Sequence, residues 1–351
     1  MESEYLVWVK TRTPGQYNLA SSGIVPYPIK DLAVRSEEIE INGRSLYGYP
    51  PLQAEIAAHC GVPNDLIVAS SGTSMANFLA LAALIEPGDD VLVEEPAYEP
   101  LLAAVKFFRG SIRRLKREPD AGFQLPPPED FVSPKTKLII LTNLHNPSSA
   151  VAPEETLRHY GEVAKRLHAR VLMDEVYLEC IYEEIPTACN YGPEFVVTGS
   201  LTKAYGLGGL RCGWVVAEPA LAQRIWKIKD LIDPSAPHPA ELLSVIAFRK
   251  LNQISERAKT LLSRNRALLH EFFASCDRFD CAIPQFGTCI FPRFKHGNTD
   301  RLVEILHERY DTDVVPGRFF DMPDRFRLGI GVETEVLVEG LRRLRTATEE
   351  I

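Results

Sequence analysis

Between residues 67 and 216, short apolar runs alternate with segments of helical period, and that alternation constrains the fold more than any other feature of the chain. Ile67-Val68-Ala69 reads as a strand. Met75, Phe78, Leu79 and Ala82 then recur at i, i+3, i+4 and i+7, which predicts a helix from Ser74 to Ile85 that Pro87-Gly88 stops. Further strands are expected at Asp90–Val93, Lys137–Thr142, Val171–Met173, Phe195–Thr198 and Gly213–Val216, with helices at Leu101–Phe108 and Glu154–Leu167. Strands separated by helices imply βαβ crossovers. The expected fold class is therefore α/β, a mostly parallel sheet flanked by helices and buried on both faces. In such sheets ligands bind outside the carboxyl ends of the strands, so the chemistry is to be sought in the residues that follow each strand.

Composition narrows the function classes. Lys and Arg number 39 against 47 Asp and Glu, a net charge of −8, which disfavours nucleic acid as a partner. No run approaches the length of a membrane span, and the start Met1-Glu2-Ser3-Glu4 has no signal-peptide pattern. The seven cysteines are scattered, form no CxxC pair and sit at no zinc spacing. Reduced thiols, no metal and a cytoplasmic location are the expectations.

Five strand ends carry candidate chemistry. Ser70-Ser71-Gly72-Thr73-Ser74 leads into a helix, so its backbone N–H groups and hydroxyls suit an anion such as phosphate; the same residues also read as an ordinary helix cap. Tyr98, in Glu95-Pro96-Ala97-Tyr98, reads either as a core tyrosine or as one able to stack on a flat ring. Asn143-Leu144-His145-Asn146-Pro147-Ser148-Ser149 is a turn signal in which Asn146 offers an amide donor. Asp174, ending an apolar strand in Asp174-Glu175-Val176-Tyr177, calls for a cation: a metal, an arginine or a protonated ring nitrogen. The segment from Gly199 to Trp214 places Lys203 in a small, Gly-rich loop, where desolvation and nearby positive charge lower an amine's pKa and make it nucleophilic. Arg211, eight residues on, has the planar fork for a phosphate.

Taken together, SGTS (71–74), PAY (96–98), NLHNPSS (143–149), DEVY (174–177) and SLTKAYGLGGLRCGW (200–214) resemble the class I/II aminotransferases, pyridoxal-phosphate enzymes of fold type I, in order and in spacing. Weaker similarity covers Asn18–Gly23 and Phe326–Gly329. The resemblance implies pyridoxal 5'-phosphate as cofactor and Lys203 as its Schiff-base lysine, acting also as general base and acid. It further implies that Asp174 pairs with the pyridinium nitrogen, that Tyr177 and Asn146 bond the cofactor's 3-oxygen, and that Tyr98 stacks on the ring. Gly72, Thr73, Ser74, Ser200 and Arg211 are the implied phosphate site. Arg327 is the implied grip on the substrate's α-carboxylate, with Gly23 and Asn146 beside the substrate.

The resemblance also implies a large cofactor-binding domain over residues 45–240, a smaller α+β domain from 1–44 and 241–351, and a homodimer. Little precedes Asn18, so an N-terminal arm is expected to be reduced. Either Tyr47 or Tyr49 could reach a neighbour's phosphate. Residues 227–238 hold no arginine, which counts against a dicarboxylate specialist; Asp230 or Asp233 there could face a basic side chain or stay solvated. The expected reaction is amino transfer from an amino acid to a 2-oxo acid. A lyase or decarboxylase on the same fold is the alternative, because pocket residues decide which bond at the α-carbon breaks.

Overall fold

The computed structural model describes residues 2–183, 185–295 and 297–351. Its central sheet has seven strands: β2 (Ile67–Ser71), β3 (Asp90–Glu95), β4 (Ser111–Lys116), β5 (Thr136–Thr142), β6 (Arg170–Asp174), β7 (Phe195–Ser200) and β8 (Cys212–Val216). Their order is β2-β8-β7-β6-β5-β3-β4. Only β8 runs against its neighbours, β2 and β7; the mostly parallel α/β sheet and fold type I are as expected. β8 reverses because the loop from Leu201 to Arg211 turns back without the helical crossover that a parallel strand requires.

Helices α2 (Pro50–Cys60), α3 (Thr73–Leu84), α4 (Glu99–Phe107), α5 (Glu154–Leu167), α6 (Pro219–Lys229) and α7 (His238–Phe248) accompany this sheet. The α5 boundaries coincide with the sequence pattern, and its buried stripe of Leu157, Tyr160, Val163 and Ala164 shows why. One strand, β4, escaped that pattern. It is an edge strand, Ser-Ile-Arg-Arg-Leu-Lys, in which only Leu115 is buried.

Two hydrophobic cores form. The larger follows the sheet, from Tyr27 to Ile254. The second gathers Leu19 and Ile24 with residues from Ala258 to Ala347. It is built on α8 (Leu251–Ala274), α9 (Thr299–Tyr310), α10 (Thr334–Ala347) and short strands, of which β10 (Cys289–Ile290), β14 (Phe326–Gly329) and β13 (Val315–Pro316) form one antiparallel sheet. Strand β1 (Tyr17–Asn18) joins this region by parallel pairing with β12 (Thr312–Asp313). We propose that the boundary between the two units lies within α8, where one core gives way to the other. A third, small cluster places α1 (Glu4–Thr11) against Phe123, Phe291 and Phe320. Among the described residues every cysteine is free, and no helix is long and apolar enough to cross a membrane.

A buried ion pair positions the loop after β5. Arg117 Nη1 donates to Glu94 Oε2 at 2.7 Å, and the other oxygen of Glu94 accepts from Thr142 N at 2.8 Å and Thr142 Oγ1 at 2.5 Å. Both charged side chains are almost wholly buried, and burial pushes each toward its neutral form. Thr142 Oγ1 in turn accepts from the backbone N of Asn146 at 3.0 Å. Arg117→Met leaves the Glu94 carboxylate buried without its cation. It is expected to cost roughly 3–5 kcal/mol in a denaturant titration; a loss under about 1 kcal/mol would mean that the carboxyl is already neutral there.

Candidate active site

The parallel strands deliver their carboxyl ends to one edge of the sheet, over a cavity of about 180 Å3. Thr73, Ser74, Tyr98, Asn146, Asp174, Tyr177, Ser200, Lys203 and Arg211 all line it. Gly72, Gly23 and Arg327 adjoin it from behind these residues.

At one end stands Asp174, the last residue of β6 and 3% exposed. Asn77 Nδ2 donates to its Oδ2 at 2.7 Å and Val176 N to its Oδ1 at 3.0 Å. Burial nevertheless pushes the carboxyl up to about 6, with those donors and Lys203 pulling the other way. Asn77 is itself fixed by Thr198 Oγ1, which donates to its Oδ1 at 2.6 Å.

At the other end lies an anion cradle. Gly72 caps α3 with φ +82°, and a Cβ there would stand 2.4 Å from Arg211 Nη2. The dihedral calls for glycine, and the absent side chain leaves room for the guanidinium to lie against the backbone. Thr73 Oγ1 donates to Ser200 Oγ at 2.8 Å, and Arg211 donates to the carbonyls of Ser71 at 2.9 Å and Gly208 at 3.1 Å. Ser71 Oγ donates to Asp233 Oδ2 at 2.9 Å, and the same carboxylate lies 3.5 Å from Lys229 Nζ. Asp233 therefore faces a basic side chain of its own chain, at the rim of the cradle.

Lys203 lines the same cavity, within electrostatic reach of both Asp174 and Arg211. Its Nζ donates to Ser22 Oγ at 3.0 Å. Burial, reinforced by the positive charge of Arg327 and Arg211, lowers this amine to about 8. Gly23 lies against the Lys203 chain, where a Cβ would meet Cδ and the carbonyl oxygen at 3.4 Å; its neighbour Ser22 supplies the cavity wall.

Arg327, on β14 and 1% exposed, comes in from the second core. Its Nη1 donates to Asn146 Oδ1 at 3.0 Å and its Nη2 to the Tyr5 hydroxyl at 2.8 Å. Burial opposes its charge, but Tyr5, Cys289 and Tyr177 around it tip the balance upward. It is a permanent cation.

Three residues at this site were not read from the sequence: Asn77, Ser22 and Tyr5. Asn77 carried a usable signal. It is a polar residue four positions after Thr73 on the buried face of an otherwise apolar helix. Ser22 lay inside the motif that pointed to Gly23. Tyr5 carried none, because α1 is short and weakly patterned. Among the described residues no three His, Cys, Asp or Glu side chains gather to hold a metal ion.

The site suits pyridoxal phosphate. A Gly72–Arg211 cradle with backbone N–H groups and a guanidinium suits an anion, a buried carboxyl with a raised pKa suits a proton or cation, and an amine of lowered pKa lines the same cavity.

Comparison with known proteins agrees. The family model for aminotransferase class I and II matches residues 18–344. The chain is 30% identical to capreomycidine synthase of Streptomyces vinaceus, over 95% of this chain and 90% of that protein. It is 27% identical to a probable aspartate/prephenate aminotransferase of Aquifex aeolicus, over 92% and 88% of the two chains. Among solved structures, a PLP-dependent aminotransferase from Streptococcus suis superposes with a TM-score of 0.94 at 24% identity, covering 100% of this chain and 98% of that one. The PLP-dependent cyclase OrfR superposes with a TM-score of 0.89 at 24% identity and the same coverage.

The lowered amine is open to direct test. In the cofactor-free protein, trace acetylation of Lys203 is expected to rise with pH through a midpoint of about 8. A midpoint near the ordinary lysine value of about 10.4 would show that the amine is not desolvated.

Proposed function

We propose that this chain, which belongs to the class I and II aminotransferase family, moves the amino group of an amino acid to a 2-oxo acid by way of Lys203. Its cofactor is pyridoxal 5'-phosphate, and it is a pyridoxal-phosphate-dependent aminotransferase by class. The observation that carries the reading is that the Lys203 amine, the Asp174 carboxyl and Arg211, which lies against Gly72, all line one cavity.

When bound, the cofactor supplies an electron sink for a bond at the substrate's α-carbon. The chain's own residues do the rest. Gly72, Thr73, Ser74, Ser200 and Arg211 hold the phosphate through backbone N–H groups, hydroxyls and a guanidinium at the start of α3. Asp174 holds a proton on the ring nitrogen, and Asn77 keeps that carboxylate aimed. Tyr98 would pack on the ring, and Tyr177 and Asn146 would bond its 3-oxygen. Arg327 takes the substrate's carboxylate, while Gly23 and Asn146 flank the substrate. Lys203 moves a proton at the α-carbon, for which an amine titrating at about 8 is well matched.

The likeness to capreomycidine synthase and to the cyclase OrfR favours a second reading, ring formation on an amino acid at the same site. A lyase or decarboxylase would use the same residues. We also propose a cytoplasmic homodimer. Exposed Leu46, Tyr47, Leu231 and Ile232 support that assembly, and Tyr47 is the better candidate to reach a neighbour, because Tyr49 packs edge-on against His238 at 4.9 Å.

A single-turnover experiment separates the reactions. Amino acids are added singly to the cofactor-loaded protein with no acceptor present. Amino transfer converts the cofactor to its amine form and releases one equivalent of 2-oxo acid. Persistence of the visible band while the amino acid is consumed indicates another reaction: free ammonia released with 2-oxo acid marks elimination, carbon dioxide marks decarboxylation, and consumption with neither marks ring formation. Lys203→Ala is expected to abolish the band; a band that survives the substitution overturns the site.

A further inference from the structure

We infer that Tyr5, on the N-terminal helix α1, is a positioning residue for the substrate's α-carboxylate, acting through Arg327. The inference rests on the reading of Arg327 as the carboxylate anchor.

A planar guanidinium recognises a carboxylate through two N–H groups at once, so the rotation of its plane must be fixed before the substrate arrives. Two side chains fix it. Asn146 Oδ1 accepts from Nη1 at 3.0 Å on one side, and the Tyr5 hydroxyl accepts from Nη2 at 2.8 Å on the other, with the Ala20 carbonyl a longer acceptor from Nη2 at 3.4 Å. Arg327 Nε is buried and has no partner among the described residues, so the guanidinium retains unspent donor capacity. The Tyr5 hydroxyl accepts one hydrogen bond, and among the described residues nothing accepts its own proton. A tyrosine hydroxyl can do both at once. Its acceptor lone pairs stay directed at Arg327, which is how it holds the guanidinium plane.

The ring of Tyr5 is placed as firmly as its hydroxyl. Arg327 Cζ lies 5.6 Å from its centroid and 5.2 Å from that of Phe320. Tyr98, which packs on the cofactor in the proposed mechanism, meets Tyr5 edge-on at 5.8 Å. Tyr5 therefore touches both the ring-stacking residue and the carboxylate anchor. It also lines two neighbouring cavities that share Ser22 and Lys203 with it: the 180 Å3 space over Asp174, and one of about 280 Å3 bounded by Trp8, Arg12 and Asn18. The N-terminal helix thus forms a wall of the substrate space and holds its anchor from within the same chain.

Tyr5→Phe keeps the ring and removes the hydroxyl. The expected result is a rise of about tenfold in KM for the amino donor, with a fall in kcat of less than about threefold, as for loss of one hydrogen bond to a charged group. The Kd of two carboxylates that lack an amine, glutarate and 3-phenylpropionate, measured calorimetrically, is expected to rise by the same factor. The visible band of the lysine-bound cofactor and its pH titration should match the parent protein. Arg327→Lys tests the anchor separately. If it binds both carboxylates as the parent does, the anchor reading fails and the inference with it. If it loses them while Tyr5→Phe binds them normally, only the role of Tyr5 is overturned. A Tyr5→Phe protein whose cofactor titration moves while KM does not also overturns it, because the hydroxyl would then act on the cofactor.

Discussion

Three polar residues stand in one register row at or near the carboxyl ends of three apolar strands, and the site depends on that row. Thr142 on β5 is paired across to Asp174 on β6, and Asp174 to Thr198 on β7. A parallel sheet buried on both faces tolerates such groups only where its strands end. Each of the three is therefore committed to a hydrogen bond that organises something beyond the sheet. Thr142 holds Asn146 and Glu94; Thr198 holds Asn77; Asp174 takes the amide of Asn77 and the backbone N of Val176. The start of α3 is thereby tied to the same strand ends that carry the 143–149 loop. The Gly72–Arg211 cradle and the Asp174 carboxyl are held in one frame.

Arg327 shows what the second core contributes. It sits on β14, whose neighbours are the short strands β10 and β13, and its side chain leaves that core to meet Asn146 of the large sheet and Tyr5 of α1. Three separate parts of the chain converge on one guanidinium. A buried arginine is costly unless its donors are used, and α1, which packs into a small apolar cluster, supplies the Tyr5 hydroxyl as one of the acceptors that satisfy it.

How much of this was legible in the sequence follows from periodicity. The helices α3 and α5 and the inner strands bury faces at the right spacing, so their patterns survive in the chain. β4 lies at the sheet edge with Arg113, Arg114 and Lys116 in it, and a charged edge looks like a loop. The direction of β8 was hidden because a five-residue apolar run has no polarity of its own. The motif residues were readable through their resemblance to a known family. Asn77, Ser22 and Tyr5 were not, because a hydrogen bond between residues 97, 181 or 322 positions apart leaves no trace in local spacing. Tyr5 is the extreme case, since the shortness of the segment before Asn18 suggested that it did little.

The directions of the two central pKa shifts carry a last consequence. Had Asp174 and Lys203 formed an ion pair, each would have stabilised the other's charge, driving the carboxyl down and the amine up. The opposite holds: the carboxyl is pushed up to about 6 and the amine down to about 8, with burial the largest cause of both. The two groups share one cavity yet remain too weakly coupled to neutralise each other. Such a gap is stable only as long as something else can fill it. A ligand with a basic nitrogen favours the charged form of Asp174, and an electrophilic carbon beside Lys203 takes up its lone pair once the amine has lost its proton, which the lowered pKa makes easier. Both shifts therefore represent free energy withheld from the empty protein and available to binding. The sign fits a site built to receive one flat, bifunctional group rather than to stand complete by itself.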